Sequence, residues 1–299
     1  NPFITTQGFA GTSMLTTVIG AVINIVLDPI FIFVFDMGVA GAAIATVLSQ
    51  AVSAVWILRF LTGRKTILRL KARNMLLQGK IILPCLPLVI SNFVMVSTES
   101  ILSVSFTSSL SRYGGDVAVG AMTVLTSVNQ LITMPLQGIC QGGQPLISYN
   151  YGAKKFHRVK ATYLRTIIVG LIVGVIGWAC FQFFTQEIIN IFGQENELYN
   201  EFALKCFHIF LGVIFLVGFL IPSGIFFQSI GKPTKAMVCT LTRQLLYFLP
   251  CAYILSSFMG IDGLLYSGPV GDCLAAVTVA ILISGEMRII NRSIKEQNA

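Results

Sequence analysis

The sequence predicts an all-α, polytopic membrane protein, and three observations predict it. Charged residues make up only 11% of the 299 positions, while 55% are hydrophobic and the mean hydropathy is +0.82. A soluble protein of this length covers its surface with about a quarter charged residues, more than twice this share. Apolar runs of about 20 residues or more, each long enough to cross ~30 Å of hydrocarbon as a helix, recur eight times. The remaining charges are sorted by sign into alternate connections between those runs. A membrane β-barrel would need short segments alternating apolar and polar residues, and that dyad pattern is absent.

The eight runs lie near residues 12–35, 39–61, 81–110, 117–148, 163–184, 203–228, 237–258 and 263–284. Connections after the second, fourth and sixth hold Arg64, Lys65, Arg69, Lys71, Arg73 and Lys80, then Lys154, Lys155, Arg158 and Lys160, then Lys232 and Lys235. Arg288, Arg292 and Lys295 follow the eighth, and Arg59, Arg165 and Arg243 stand at span ends on the same side. Only Arg112 and Lys205 fall opposite, where Asp36, Asp116, Glu187, Glu195, Glu197, Glu201 and Asp262 gather. By the positive-inside rule the basic connections and the C-terminus are cytoplasmic, so the net charge of +8 expresses topology rather than nucleic-acid binding. The seven cysteines are scattered, without a C-x-x-C pair, and are read as small hydrophobes.

The longest polar connection predicts a cytoplasmic linker at 63–80 between a two-span segment, 1–62, and a six-span lobe, 81–299. Met37-Gly38-Val39-Ala40-Gly41, in the turn between the first two spans, is echoed by Met259-Gly260-Ile261-Asp262-Gly263 between the last two, 222 positions later. Both pairs of spans have the same orientation, as a parallel repeat requires. On that offset the counterpart of the second lobe starts about 140 residues before Asn1, room for about four spans. The expected whole is twelve spans in two six-helix lobes, with eight visible here.

Within the first span Asn24 and Asp28 are four residues apart and share a helical face. Pro29 cannot donate a hydrogen bond to the carbonyl of Ile25, which leaves that oxygen without its helical partner. Asp28 and Thr46 are each nine residues from Met37, so both lie ~13 Å below the turn, near mid-bilayer. Carboxylate, amide, hydroxyl and carbonyl are hard oxygen donors or hydrogen-bonding groups suited to a proton or Na⁺. An ionised Asp at a helix centre costs ~2.5–3.5 kcal/mol, and no basic residue is expected at this depth in any span. Asp28 is therefore expected to be neutral or to hold a cation. The alternative is a permanently neutral carboxyl linking helices.

In the third span Glu99 and Asn92, seven apart on one face, form a candidate ion or proton site. Glu99 is read as the only well-buried acid of the second lobe besides Asp272, which follows Gly268-Pro269 and is expected to be satisfied locally by a broken helix. The fourth span carries Asn129, Thr133, Gln137 and Gln141 at intervals of four, continued by Gln144 and Ser148. This neutral amide stripe faces protein or water, as a substrate-cavity lining or as interhelical linkage. His208, near the outer end of the sixth span, is read as a packed histidine. Nothing in the chain resembles a nucleophile with its base, a metal-ligand cluster or a phosphate loop, so no enzyme activity and no cofactor are expected.

The stretch from Asn24 to Gln50, NIVLDPIFIFVFDMGVAGAAIATVLSQ, resembles the fifth and sixth helices of the multidrug and toxic compound extrusion (MATE) family. QGICQGGQPLISYNYGAKK (137–155) and FFQSIGKPTKA (226–236) resemble its second-lobe signatures, and TRQLLYFLP (242–250) and GPVGD (268–272) resemble the MepA-like bacterial subgroup. The resemblance implies two six-helix lobes facing a cavity, and exchange of H⁺ or Na⁺ for cationic amphipathic drugs. It implies a first-lobe cation site on Asn24, Asp28 and Thr46, completed by residues upstream of Asn1. Glu99 matches an acidic position of Na⁺-coupled members, but the acid expected on the tenth helix is missing from GVIFLVGFLIPSGIFFQ (212–228). The resulting expectation is a monomeric multidrug efflux antiporter of the bacterial cytoplasmic membrane, its partners being small cationic drugs and the lipid bilayer. Two rivals remain: a lipid-linked saccharide flippase, which would need Arg or Lys inside the cavity where none is expected, and a non-transporting membrane scaffold.

Overall fold

A computed structural model of the chain describes residues 1–63, 66, 78–192 and 197–298. Most of the expected linker, with Arg64, Lys65, Arg69, Lys71 and Arg73, lies outside the described residues, as does Glu195. The regular elements of the described residues are all helical, and the backbone divides into two units, Asn1–Ile82 and Leu83–Ala299.

The first unit is a helical hairpin. Helix α1, Ala10–Pro29, runs directly into a π-helical segment, Ile30–Val34. Pro29 supplies no N–H, and beyond it the ladder widens, so that the Phe35 N–H reaches the Ile30 carbonyl at 3.0 Å. Asp36 and Gly38 take positive φ, 51° and 52°, and reverse the chain into α2, Gly38–Thr62. Small residues let the two helices close. A Cβ on Gly41 would lie 2.7 Å from the Phe31 carbonyl oxygen, and the Ser53 hydroxyl donates to the Thr16 carbonyl at 3.3 Å. Lipid tails are as apolar as leucine, so such close backbone approach, rather than exclusion of water, drives helix association in a membrane. Val22, Ile25, Val26, Phe33 and Val34 point outward from the hairpin.

The second unit comprises α3 (Leu83–Arg112), α4 (Ala118–Gly152), α5 (Phe156–Phe183), α6 (Thr185–Phe192), α7 (Glu197–Phe210), α8 (Val217–Ser229), α9 (Pro233–Met259) and α10 (Ile261–Asn298). Helices α3 and α4 are separated at Gly115, whose φ of 62° and ψ of −159° only glycine adopts readily. Among the described residues seven helices are individually long and apolar enough to span a bilayer, and the α7–α8 pair, bent by 43°, brings the number to eight if it crosses as one broken span. The chain is thus a multi-pass α-helical membrane protein, with spans where hydropathy placed them.

The bend has a packing partner. Cβ atoms on Gly170 and Gly174 of α5 would meet the Gly218 oxygen at 2.6 Å and the Phe215 oxygen at 3.0 Å, so the backbone at the start of α8 lies directly on the glycine stripe of α5. Two cores fill the unit: one around Leu110, Leu125, Leu136 and Phe207, the other around Tyr163, Phe226, Phe227 and Val279. Tyr163 satisfies its hydroxyl on Ser223 at 2.9 Å. The sequence echo is also a backbone echo. Gly260, like Gly38, takes positive φ (61°), and Gly263, like Gly41, presses on the backbone of the preceding helix.

Gly170→Leu is expected to destabilise the folded protein by about 2 kcal/mol through overpacking against a backbone that cannot retreat. Gly285→Ala, where nothing lies within 4 Å of the new Cβ, is expected to change stability by less than about 1 kcal/mol. Thermal unfolding of the detergent-solubilised variants measures the contrast, and equal losses would contradict the packing account.

Candidate ion-coupling site and membrane-level charges

In the first unit the i, i+4 spacing does what the helix geometry requires: Asn24 Nδ2 donates to Asp28 Oδ1 at 3.0 Å. Both side chains are half-buried. The hairpin register fixes their level. Gly41 faces Phe31 and Gly20 faces Ser53, so Asp28 stands opposite Ile44 and Ala45, with Thr46 at the next position. Thr46 is exposed and donates to its own helix, to the Ala42 carbonyl at 2.9 Å. No hydrogen bond joins it to Asn24 or Asp28 among the described residues. The lone pairs of Thr46, Asp28 Oδ2 and the Ile25 carbonyl, which lacks its α-helical donor, remain as acceptors at one depth. No cationic side chain pairs with Asp28 among the described residues.

The second unit corrects two expectations. Arg243 is not at a span end. Helix α9 starts at Pro233, so Arg243 lies ~15 Å along it, and its Nε and Nη2 reach Asp272 Oδ1 and Oδ2 at 2.6 and 3.3 Å. Asp272 is accordingly satisfied by a guanidinium from the neighbouring helix. The helix continues through Gly268-Pro269 as α10 rather than breaking there. Second, the fully buried acid among the described residues is Glu286. Lys232 and Lys235 both bond to it, Lys235 at 2.7 Å. Glu99 and Asn92, by contrast, are exposed on the surface of the unit, and Glu99 makes no hydrogen bond or ion pair among the described residues.

The amide stripe of α4 is divided. Gln137 and Gln141 are exposed; Asn129 is half-buried, with Oδ1 buried and unpartnered, and Thr133 donates to the Asn129 carbonyl at 3.2 Å. Ser148 is tied to Ser229 of α8, donating to its carbonyl at 2.9 Å. His208 and Gln182 exchange side-chain and backbone hydrogen bonds, with Nδ1 and Oε1 at 2.9 Å, and Lys205 pairs with Asp262 at 2.7 Å. No group of three metal-ligating side chains occurs among the described residues.

The profile of one transporter family, MatE, matches residues 87–254, more than half of the chain. The chain belongs to the MatE family. It is 25% identical over 280 residues to the multidrug export protein MepA of Staphylococcus aureus strain NCTC 8325, and 22% identical over 274 residues to MepA of Staphylococcus saprophyticus. Each alignment covers 91% of this chain and 59% of the relative, so the chain spans about three fifths of the curated relatives it matches. The fold superposes on an outward-facing multidrug resistance MATE family transporter of the MOP superfamily with a TM-score of 0.88 at 25% identity. That superposition covers 98% of this chain and 65% of the other. A MATE bound to MaL6 gives the same values.

Within this MatE chain, Glu286 escapes a hydropathy reading for a simple reason: the apolar run of the last span ends before it. The Lys232-x-x-Lys235 spacing, which places two ammonium groups on one helical face at the start of α9, was the available signal. Glu286→Gln leaves two lysines, each about a third exposed, without their buried counter-charge. Solvent screening moderates the several kcal/mol that such a loss costs in a fully buried pair. The expected destabilisation is about 2 kcal/mol, measured by denaturant or thermal unfolding, and Lys235→Gln is expected to cost less because Lys232 remains.

Proposed function

We propose that the complete protein is a secondary active multidrug efflux antiporter that exports cationic amphipathic compounds in exchange for H⁺ or Na⁺. The observation that carries this reading is the Asn24–Asp28 pair, a membrane-level carboxylate whose only described partner is a neutral amide. An ionised carboxylate with that environment is costly in hydrocarbon. A proton or Na⁺ arriving at Asp28 removes the charge and changes what Asn24 can donate to. The adjoining π-helical segment, whose backbone bonds are already out of α-helical register, is the element that such a change biases between two packings. Thr46 and the Ile25 carbonyl supply further oxygen ligands if the visitor is Na⁺.

In this reading Asn129, Gln137 and Gln141 offer cargo a polar but uncharged face, and Glu99 with Asn92 offers a second acidic position. The relatives' names as multidrug export proteins support the cargo class. The protein acts as a monomer in a bacterial cytoplasmic membrane with its basic connections and C-terminus inside, without cofactor or nucleic acid. A flippase for a lipid-linked saccharide would use a guanidinium to hold pyrophosphate. Arg243 provides one at the right level, but both arms of Asp272 already occupy it, so the antiporter reading is preferred.

Asp28→Asn, introduced into the complete gene product, is expected to abolish pH- or Na⁺-driven ethidium efflux from everted vesicles while leaving the amount of protein in the membrane unchanged. Efflux at the wild-type rate would remove Asp28 from the mechanism.

A further inference from the structure

The second unit holds three charged side chains at one level, and their arrangement sets a net charge. Asp272 is only 17% exposed, whereas the Arg243 side chain that grips it is 35% exposed. Glu99 is placed beside it by the helix register. Ser91 of α3 donates to the Pro233 carbonyl of α9 at 3.1 Å, and Phe106 of α3 packs on Phe248 of α9 with ring centroids 5.5 Å apart. The two helices run parallel with equal spacing between those contacts, so Glu99 falls opposite the turn of Leu241–Arg243. It shares the face of Phe106, seven residues on. The field of Glu99 accordingly acts on Arg243.

Other charges around this level are accounted for. Helix α8 has none, and α4 has none after Ala118. Lys232 and Lys235 pair with Glu286 at one end of the unit, and Lys205 pairs with Asp262 at the other. Helix α5 contributes Arg165, which is exposed within its first three turns. Tyr247 bonds to Thr278 at 2.8 Å, and the remaining titratable groups on α9 and α10 near this level are the thiols of Cys239, Cys251 and Cys273. Two carboxylates and one guanidinium leave the cluster at net −1.

We propose that Arg243 determines the charge number of the cargo: by holding the Glu99–Asp272–Arg243 cluster at a single negative charge, it makes the second unit select monocationic over dicationic amphipaths. This rests on the reading that the protein binds cationic amphipathic compounds. The exposed Glu99 carboxylate receives the cationic group, and the positive charge of Arg243 beside it disfavours a second. At an effective dielectric of about 20, one added or removed unit charge within several ångströms changes a cation's affinity by about tenfold or more.

The test compares ethidium with propidium, which has the same phenanthridinium ring and a second, quaternary ammonium charge. Their affinities are measured by fluorescence anisotropy on the complete gene product in lipid nanodiscs. Arg243→Gln is expected to improve propidium relative to ethidium by about tenfold. Glu99→Gln, which leaves the Arg243–Asp272 pair intact and the fold unthreatened, is expected to disfavour propidium by a similar factor. The double variant Arg243→Gln/Asp272→Asn restores net −1 without leaving an unpaired charge, and is expected to return the ratio to that of the wild type. An unchanged ratio in Glu99→Gln, with ethidium still bound, overturns the inference and reduces the pair to interhelical linkage. Failure of the wild type to bind either dye overturns the drug-binding reading itself, and this inference with it.

Discussion

A carboxylate placed at membrane depth must be matched by positive charge from within the chain or from outside it, and the described part of this protein is organised by how each acid meets that demand. Asp272 takes a guanidinium from the next helix, Glu286 takes two ammonium groups, and Asp262 takes Lys205 at the far end of the same helix. Asp28 takes an amide, and Glu99 takes nothing direct. The acids with internal counter-charges tie helices together. Asp28 and Glu99 have no internal counter-charge among the described residues. Desolvation makes this division sharp, because removing one partner of a buried pair costs several kcal/mol while an unpaired ionised group invites a proton or a metal ion.

The internal pairs also divide the second unit into a fixed and a less fixed end. At the end bearing the basic connections, Glu286 holds both lysines at the start of α9, Lys160 donates to Asn291 at 2.9 Å, and Gln297 donates to the Lys154 carbonyl at 2.7 Å. The distal part of α10 therefore binds the connection before α5 and the connection before α9 into one platform. Among the described residues the long-range side-chain ties at the opposite end are Lys205 with Asp262 and His208 with Gln182, and both are exposed. The α7–α8 bend lies between the two, seated on glycines that allow backbone contact without side chains to interlock.

The spans were legible in the sequence because a bilayer enforces length and hydropathy one segment at a time. Even the broken α7–α8 pair read as a single run, since its kink does not interrupt its apolar character. The Asn24–Asp28 contact was legible because both partners lie on one helix, where spacing alone decides proximity. Arg243–Asp272 and Lys232–Lys235–Glu286 were not, because their partners are 29 to 54 residues apart and their meeting depends on which faces of α8, α9 and α10 are turned together. A count of charges by loop assigns Arg243 to a boundary and treats Lys232 and Lys235 as surface. Only packing reveals that these three neutralise buried acids.

One local device recurs in two of the spans that carry such chemistry. The π-helical segment of α1 follows Asp28-Pro29, and that of α9, Thr242–Phe248, contains Arg243 and the buried, unpartnered Oε1 of Gln244 and ends just before Pro250. A proline at one edge of each segment removes an N–H that an α-helix would need, and the ladder responds by widening rather than breaking. A widened turn carries one extra residue, so the faces before and after it are rotated relative to each other while both stay packed. That lets one span present an apolar face along most of its length and still deliver a charged side chain sideways at mid-depth. It also leaves carbonyls whose partners can shift by one register at low cost. Charge and adjustable backbone are thus built into the same turn.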